Sequence, residues 1–192
     1  MTARMPLRRQ LFLAWRRSIR RDYCSQRINS ERSLQASFWS QLNRVLPTDT
    51  RRMFIEPRFV VTVEGHPKVF YPDLVICNTR RVIAVIELKY QPRVLPSHDK
   101  DFETLRTIAE YRDQLQVSNA RFHGPVADAK DYSFSEHVLF VWAGVHRRPK
   151  SFSYESNDVP MLSANVESLR GCFLQLHAET NRSASPNVFI RE

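Results

Sequence analysis

The chain begins with a stretch in which apolar and basic residues recur at helical spacing. The apolar positions repeat every four residues and are Leu7, Leu11, Trp15 and Ile19. Arginines fill most of the positions between them, so the pattern predicts a basic amphipathic helix. Such a helix could follow a phosphate backbone, lie on an anionic membrane, or pack its apolar face against the rest of the protein.

A second helix is predicted over residues 31–46. Ser30 suits an N-cap, Glu31 falls in the first turn, and the apolar stripe ends before Pro47. Three runs rich in Val, Ile, Phe and Tyr come next, separated by turn residues, and they cover residues 53–63, 68–77 and 82–90. These runs predict three consecutive strands, most simply an antiparallel meander.

The second half of the chain alternates between helical and strand patterns. Helical spacing returns over residues 100–116, residues 117–134 have the pattern of a loop, and residues 137–143 that of a buried strand. A last helix is predicted over residues 161–176. The order is therefore helix, helix, three strands, helix, strand, helix, which is a mixed α/β class of fold.

Charge is distributed unevenly along the chain. The 192 residues carry a net charge of +9, yet residues 1–29 contain eight arginines against one acid, Asp22, and so hold +7 of it. We therefore divide the chain into a basic N-terminal arm, residues 1–29, and a nearly neutral domain, residues 30–192. An acidic partner such as nucleic acid fits the arm. An arginine-rich, acid-poor start also resembles a mitochondrial leader.

Cysteines and apolar runs bear on where the protein works. Cys24, Cys77 and Cys172 lie far apart and form no CxxC pair, so neither a disulfide framework nor a zinc site is expected, and a reducing, cytoplasmic location is favoured. No apolar run approaches the roughly 18 residues that span a bilayer, so no membrane segment is expected. The six histidines lack metal-binding spacing and receive no role.

Charged residues interrupt two of the predicted strands. Asp73 lies in one apolar run, and Glu87 and Lys89 lie in the next. An isolated buried charge costs several kcal/mol unless it is paired or bound to a metal. Since side chains alternate along a strand, Glu87 and Lys89 share a face. The charges are therefore neighbours that require a structural or chemical explanation.

The hairpin between these strands predicts which residues face each other. With a three-residue loop at residues 79–81, position 78 faces 82, paired positions sum to 160, and Asp73 faces Glu87. A two-residue loop would shift this register by one. Opposed residues have Cβ atoms about 4.5 to 5.5 Å apart, close enough for two carboxylates to bind one hard cation.

These residues resemble a known motif. Pro72-Asp73, followed after a hairpin by Glu87-Leu88-Lys89, resembles the PD-(D/E)XK nuclease motif, and the predicted elements around it match the αβββαβ core order of that family. The resemblance covers residues 30–145. It implies a restriction-endonuclease-like fold, a mixed central sheet flanked by helices, to which this chain adds an N-terminal basic helix and a C-terminal helix.

The resemblance also implies a chemistry, the hydrolysis of phosphodiester bonds in nucleic acid, DNA foremost, with Mg²⁺ or Mn²⁺. Asp73, Glu87 and the backbone carbonyl of Leu88 would be metal ligands. Lys89 would orient the attacking water or help to deprotonate it, because a nearby ammonium stabilises hydroxide and burial can lower the pKa of a lysine. A homodimer is expected if the enzyme cuts both strands, because one site cuts one strand.

The family has an acid on the helix before the strands, and Glu31 is the candidate for it. Its alternative role is to stabilise the helix N-terminus next to Ser30. Glu56 and Glu64 rank below it as substitutes.

Three alternatives remain for the whole protein. The first is a catalytically inactive nuclease-like module that binds nucleic acid or assembles with a partner. In the second, Asp73, Glu87 and Lys89 belong to a solvated ion cluster without catalytic chemistry. The third is a scaffold whose basic helix docks on a membrane or a partner through Trp15.

Overall fold

The computed structural model describes residues 5–96, 99–120, 122–124, 131–148, 169–182 and 184–191. The helices are α1 (Leu7–Arg17), which continues into a π-helical segment (Ser18–Tyr23), α2 (Glu31–Asn43), α3 (Asp99–Glu110) and a short 3₁₀ helix (Arg112–Gln114). The strands are β1 (Arg52–Ile55), β2 (Phe59–Val63), β3 (His66–Phe70), β4 (Leu74–Cys77), β5 (Arg81–Gln91), β6 (Gln116–Ser118), β7 (Asp131–Arg147), β8 (Phe173–Asn181) and β9 (Ala184–Arg191).

Seven of these strands form one mixed sheet. Its order is β1-β4-β5-β7-β8-β9, with β6 pairing against the start of β7, while β2 and β3 form a separate hairpin. The pairs β5–β7 and β7–β8 are parallel and the others are antiparallel. The predicted architecture of a central mixed sheet flanked by helices is confirmed. The elements α2, β1, β4, β5, α3 and β7 follow the predicted αβββαβ order.

Each face of the sheet carries its own hydrophobic core. On one face, α1 and α2 bury Trp15, Leu34 and Phe38 against residues of the central strands such as Ile86 and Val141. On the other face, α3 and the β2–β3 hairpin cover the aromatic and aliphatic side chains of β5, β7 and β8. Strands covered on both faces are apolar along most of their length, which explains why the central ones read as continuous hydrophobic runs.

The basic N-terminal helix packs on the sheet. Leu11, Trp15 and Ile19 are fully buried, and the Trp15 indole N–H donates to the His177 carbonyl of β8 at 3.1 Å. Arg16 and Arg20 on its other side face solvent. Trp15 is thus unavailable for insertion into a membrane, and no described helix is long and apolar enough to cross one. The division of the chain at residue 29 stays a prediction.

Two of the three predicted strands are each split in two. The run 53–63 is broken after Ile55, and the run 68–77 is broken before Leu74. Between these breaks the β2–β3 hairpin turns at Glu64 and Gly65, whose positive φ angles of 51° and 81° fit a type I′ turn. The predicted meander therefore exists as β1-β4-β5, and a second hairpin is inserted within it.

The C-terminal helix predicted over residues 161–176 is wrong for the residues that the structure describes: residues 169–172 form a turn, and residues 173–176 begin β8. Residues 161–168 lie outside the described part. Residues 173–178 are all buried, because this strand lies inside the sheet and is covered on both faces. A short run of that kind has no period that separates strand from helix. Strand β9 was not predicted, and β6 and the start of β7 replace parts of the predicted loop 117–134.

The burial of α1 predicts that two tryptophan substitutions lower the stability of the protein by very different amounts. Trp15→Ala removes a fully buried indole and its hydrogen bond, so we expect a loss of about 3 to 5 kcal/mol in the free energy of unfolding. Trp39→Ala is the matched control, since that side chain is 36% exposed, and its cost should be well below that of Trp15→Ala. Urea unfolding measures both. Equal losses would contradict the packing of α1 described above.

Candidate active site

Strands β4 and β5 pair in the predicted register, although the loop between them differs from the predicted loop. Leu74 faces Ile86, Val75 faces Val85 and Ile76 faces Ala84, so the positions sum to 160 as predicted. The loop, however, is shorter than predicted, because the Asn78 N–H donates to the Arg81 carbonyl at 2.8 Å and leaves two residues between them. A bulge next to Val82 restores the register. Without that extra residue, Asp73 would not lie opposite Glu87.

Asp73 is fixed through its backbone and its side chain. Its carbonyl accepts from the Gln35 side chain of α2 at 2.9 Å and from the Glu56 N–H at 3.2 Å. Its carboxylate Oδ2 accepts from the Leu88 N–H of β5 at 2.6 Å. Because the N–H and C=O of one strand residue point to the same side, the Leu88 carbonyl also points toward the edge where Asp73 lies.

The carboxyl groups of Asp73 and Glu87 are close enough to shift each other's pKa. Burial raises the pKa of Asp73 from its ordinary 3.8 to about 6, while the bond from the Leu88 N–H acts in the opposite direction. Burial also raises the pKa of Glu87 well above its usual range, and the charges of Asp73 and Asp101 add to the effect. Glu87 is 9% exposed. Because the charged forms of both acids are penalised, the pair favours a bound proton or a nearby positive charge.

Lys89 is held by an acid that sequence analysis did not assign to the site. Its ammonium Nζ lies 3.1 Å from Oδ1 of Asp101 at the start of α3. The other oxygen of Asp101 accepts from the Trp142 indole N–H of β7 at 3.3 Å. The Trp142 ring lies over Gly144, where any Cβ would collide with it. Gly144 thus makes room for the ring that orients Asp101, and Asp101 in turn orients Lys89.

The pKa of Lys89 is raised overall, although burial alone lowers it as expected. The charges of Asp101, Glu31 and Asp73 outweigh the effect of burial and raise the pKa. Lys89 is therefore an ammonium ion at neutral pH. It can stabilise negative charge on a water-derived nucleophile or on a phosphate oxygen, and it is unsuited to accept a proton.

Glu31 lies at the site. Its carboxylate Oε2 accepts from the Tyr90 N–H at 3.1 Å, and its charge acts on both Asp73 and Lys89. The helix N-terminus is capped by other groups, since the Ser30 hydroxyl accepts from the Ser33 N–H at 3.2 Å. Glu56 and Glu64 are not among the charges that act on Asp73, Glu87 or Lys89.

The donor set fits a hard divalent cation that keeps part of its water shell. Among the described residues, no three His, Cys, Asp or Glu side chains converge closely enough to hold a metal ion alone. Mg²⁺ in proteins is commonly held by one or two carboxylates, with waters and substrate phosphates completing its shell. Asp73, Glu87 and the Leu88 carbonyl provide that minimum.

Three residues of the site were not predicted from the sequence: Asp101, Trp142 and Gln35. Asp101 looked like an ordinary first-turn acid of a helix, and Trp142 looked like a core residue of a buried strand. A signal was present for Gln35, which lies one helical turn after Glu31 and so shares its side of α2. Nothing local to Asp101 or Trp142 indicates their contact, because 41 residues separate them in the chain.

Comparison with known proteins found only distant similarity to solved structures. No family model and no curated protein matches the sequence. One similar solved structure is NucC of P. aeruginosa ATCC27853 in its cAAA-bound form, with a TM-score of 0.47 and 11% identity over 98% of this chain and 85% of that chain. Another is NucC of E. coli MS115-1, also cAAA-bound, with a TM-score of 0.43 and 13% identity over 99% and 85%. These similarities concern the course of the chain and carry no information about its chemistry.

The raised pKa of Glu87 predicts that a neutral residue at this position stabilises the folded protein, by an amount that depends on pH. The folded protein binds this proton more tightly than the unfolded chain, so stability falls as pH rises above the ordinary value of 4.5 and toward the folded pKa. In a chelating buffer at about pH 8, Glu87→Gln should therefore raise Tm by about 2 to 8 °C, for a gain of about 1 to 2 kcal/mol. At about pH 4 the gain should vanish.

The matched control is Glu103→Gln on the exposed side of α3, for which no pH-dependent gain is expected. Thermal unfolding followed by circular dichroism gives both curves. A Glu87→Gln protein that loses stability equally at both pH values would contradict the burial of an ionisable pair at this position.

Proposed function

We propose that this protein is a metal-dependent nuclease that hydrolyses phosphodiester bonds in nucleic acid, with DNA as its substrate. The observation that carries the proposal is the buried Asp73–Glu87 pair, with the Lys89 ammonium on the same strand face as Glu87. These two acids lie next to a cation at the edge of the sheet. Because their charged forms are penalised, this arrangement costs free energy. Binding of Mg²⁺ or Mn²⁺ offsets that cost.

Each side chain has a defined part in this proposal. Asp73, Glu87 and the Leu88 carbonyl would hold the metal ion, which supplies Lewis-acid stabilisation of charge on a phosphate when it is bound. Lys89 positions the attacking water and stabilises the negative charge that develops on it, since its ammonium is retained at neutral pH. Asp101 positions Lys89 through the 3.1 Å ion pair. Glu31 holds a water or a second cation beside the Tyr90 N–H.

A catalytically inactive nucleic-acid-binding module is the second candidate. It is favoured by the lack of a third converging ligand among residues that the structure describes, and by the engagement of Lys89 with Asp101. The two candidates differ in whether metal changes the covalent state of DNA. Binding alone would be insensitive to Glu87→Gln, whereas catalysis would not.

Supercoiled plasmid tests the proposal directly. With Mg²⁺ or Mn²⁺ the wild-type protein should nick the plasmid, and a chelator should abolish nicking. Asp73→Ala, Glu87→Gln and Lys89→Ala should each lower the rate by at least about 100-fold, because each removes a charge that acts on the reacting phosphate or on the metal. Glu31→Gln should lower it less, because its carboxylate already accepts a backbone N–H.

The control is Glu64→Gln, an acid of the β2–β3 turn that should leave the rate unchanged. Circular dichroism on every variant confirms that loss of cleavage is not loss of fold. The nuclease proposal would be abandoned if the wild-type protein left the plasmid intact with either metal, or if Asp73→Ala cut it at the wild-type rate.

A further inference from the structure

A large basic cavity lies beside the candidate active site and takes no part in the chemistry described above. Its volume is about 1030 Å³, and it opens where β5, β7 and β8 end. Four arginines and two tyrosines line it: Arg93, Arg147, Arg148, Arg182, Tyr23 and Tyr90. Among the described residues that line it, there is no carboxylate. The cavity is therefore a concentration of positive charge, which in a sheet of this kind lies where ligands commonly bind.

The backbone that carries the arginines is held rigidly by bonds between strand ends. The Arg147 N–H donates to the Val94 carbonyl at 3.0 Å, and the Arg148 N–H donates to the Thr180 carbonyl at 3.1 Å. The Thr180 hydroxyl donates to the Pro92 carbonyl at 2.5 Å. Three neighbouring segments are thus tied together, and the exposed guanidinium groups extend from a preorganised frame.

The arginines of this cavity have no acidic partner among the residues that the structure describes. Burial raises the pKa of Tyr23 and of Tyr90, and the charge of Arg93 opposes that shift at both, so its guanidinium lies near both hydroxyl groups. Four guanidinium groups around one cavity repel each other, and an anionic ligand would relieve that repulsion.

The cavity is connected to the candidate active site through one residue. Tyr90 follows Lys89 directly on β5, and its N–H donates to Glu31 at 3.1 Å. Its side chain points to the opposite face of the strand and forms part of the cavity wall, where its ring meets that of Tyr23 edge to face, with centroids 6.3 Å apart. A chain that passes the carboxylate pair can therefore continue over the end of β5 into the cavity.

The width of the basic surface favours a polymeric anion as the ligand over one small anion. Neighbouring strands lie about 4.8 Å apart, so the ends of β5, β7 and β8 spread the arginines over about 10 Å. A nucleic-acid strand carries one phosphate for about every 3.4 Å of helix axis, which gives about three phosphates over that distance. One small anion could not contact the arginines at both ends of this surface. The tyrosine rings offer a stacking surface for a base.

We propose that this cavity binds the sugar–phosphate backbone of a nucleic-acid strand next to its scissile phosphate. The proposal rests on the nuclease function proposed above and adds to it a defined path for the strand. Arg147 and Arg182, at the ends of β7 and β8, contact separate phosphates, and Tyr90 marks the passage from the cavity to the carboxylate pair.

The test measures binding without cleavage. Fluorescence anisotropy of labelled single-stranded and duplex oligonucleotides is recorded in a chelating buffer over a series of salt concentrations. Arg147→Ala/Arg182→Ala should weaken binding several-fold and lower the slope of log affinity against log salt by about 1.4 for single strands or about 1.8 for duplex. All four arginines are exposed, so the variant should unfold at the wild-type temperature.

The matched control removes two exposed arginines that do not line the cavity. Arg44 follows the last residue of α2, and Arg80 precedes β5 at the end away from the cavity; both are exposed. Arg44→Ala/Arg80→Ala loses the same charge and should leave the salt slope at the wild-type value.

Several results would overturn the assignment of this cavity. They are an unchanged slope in Arg147→Ala/Arg182→Ala, an equal loss in both double variants, or wild-type protein that binds no oligonucleotide. A nucleoside monophosphate that displaces the oligonucleotide at the same phosphate concentration would also overturn it, because the cavity would then be a single-anion site. Plasmid nicking is scored separately, so failure of the cavity and failure of the nuclease proposal give different results.

Discussion

The contact between Asp73 and Glu87 is the interaction on which the candidate site depends. Burial penalises the charged form of both carboxyl groups, and the charge of Asp73 further raises the pKa of Glu87. Everything around the pair serves to hold it in place: Gln35 and Glu56 bind the Asp73 carbonyl, and the Leu88 N–H binds its carboxylate. Two such carboxyl groups lower the stability of the protein unless a proton or a cation is bound to them.

The same end of the sheet collects groups from both of its faces. Glu31 comes from α2 on one side, and Asp101 comes from α3 on the other, so the starts of two helices meet the end of β5. Lys89 lies among these acids and keeps its proton because of them. The basic cavity begins one residue later, at Tyr90. Acidic and basic groups are therefore sorted into adjoining surfaces, one suited to a cation and the other to phosphates.

Much of this site could be predicted from sequence because its central residues lie on neighbouring strands. Alternation along β5 placed Glu87 and Lys89 together, and a register sum of 160 placed Asp73 opposite Glu87. The sum was correct although the loop was not, because a bulge in β5 replaced the residue that the loop lacked. Asp101 and Trp142 could not be found in this way, since their contact is formed only when α3 packs on β7. The first four residues of β8 were predicted as the end of a helix, because burial on both faces removes the period of two from this strand.

The central claim is that the carboxylate pair is a site for a divalent cation, and a crystal soaked in Mn²⁺ tests it most directly. Anomalous difference density should lie between Asp73 and Glu87, within about 2.0 to 2.3 Å of an oxygen of each and close to the Leu88 carbonyl. The remaining ligands should be waters, one of them within reach of Lys89. The absence of density between the two carboxyl groups at saturating Mn²⁺, or density only at another place, would contradict the account.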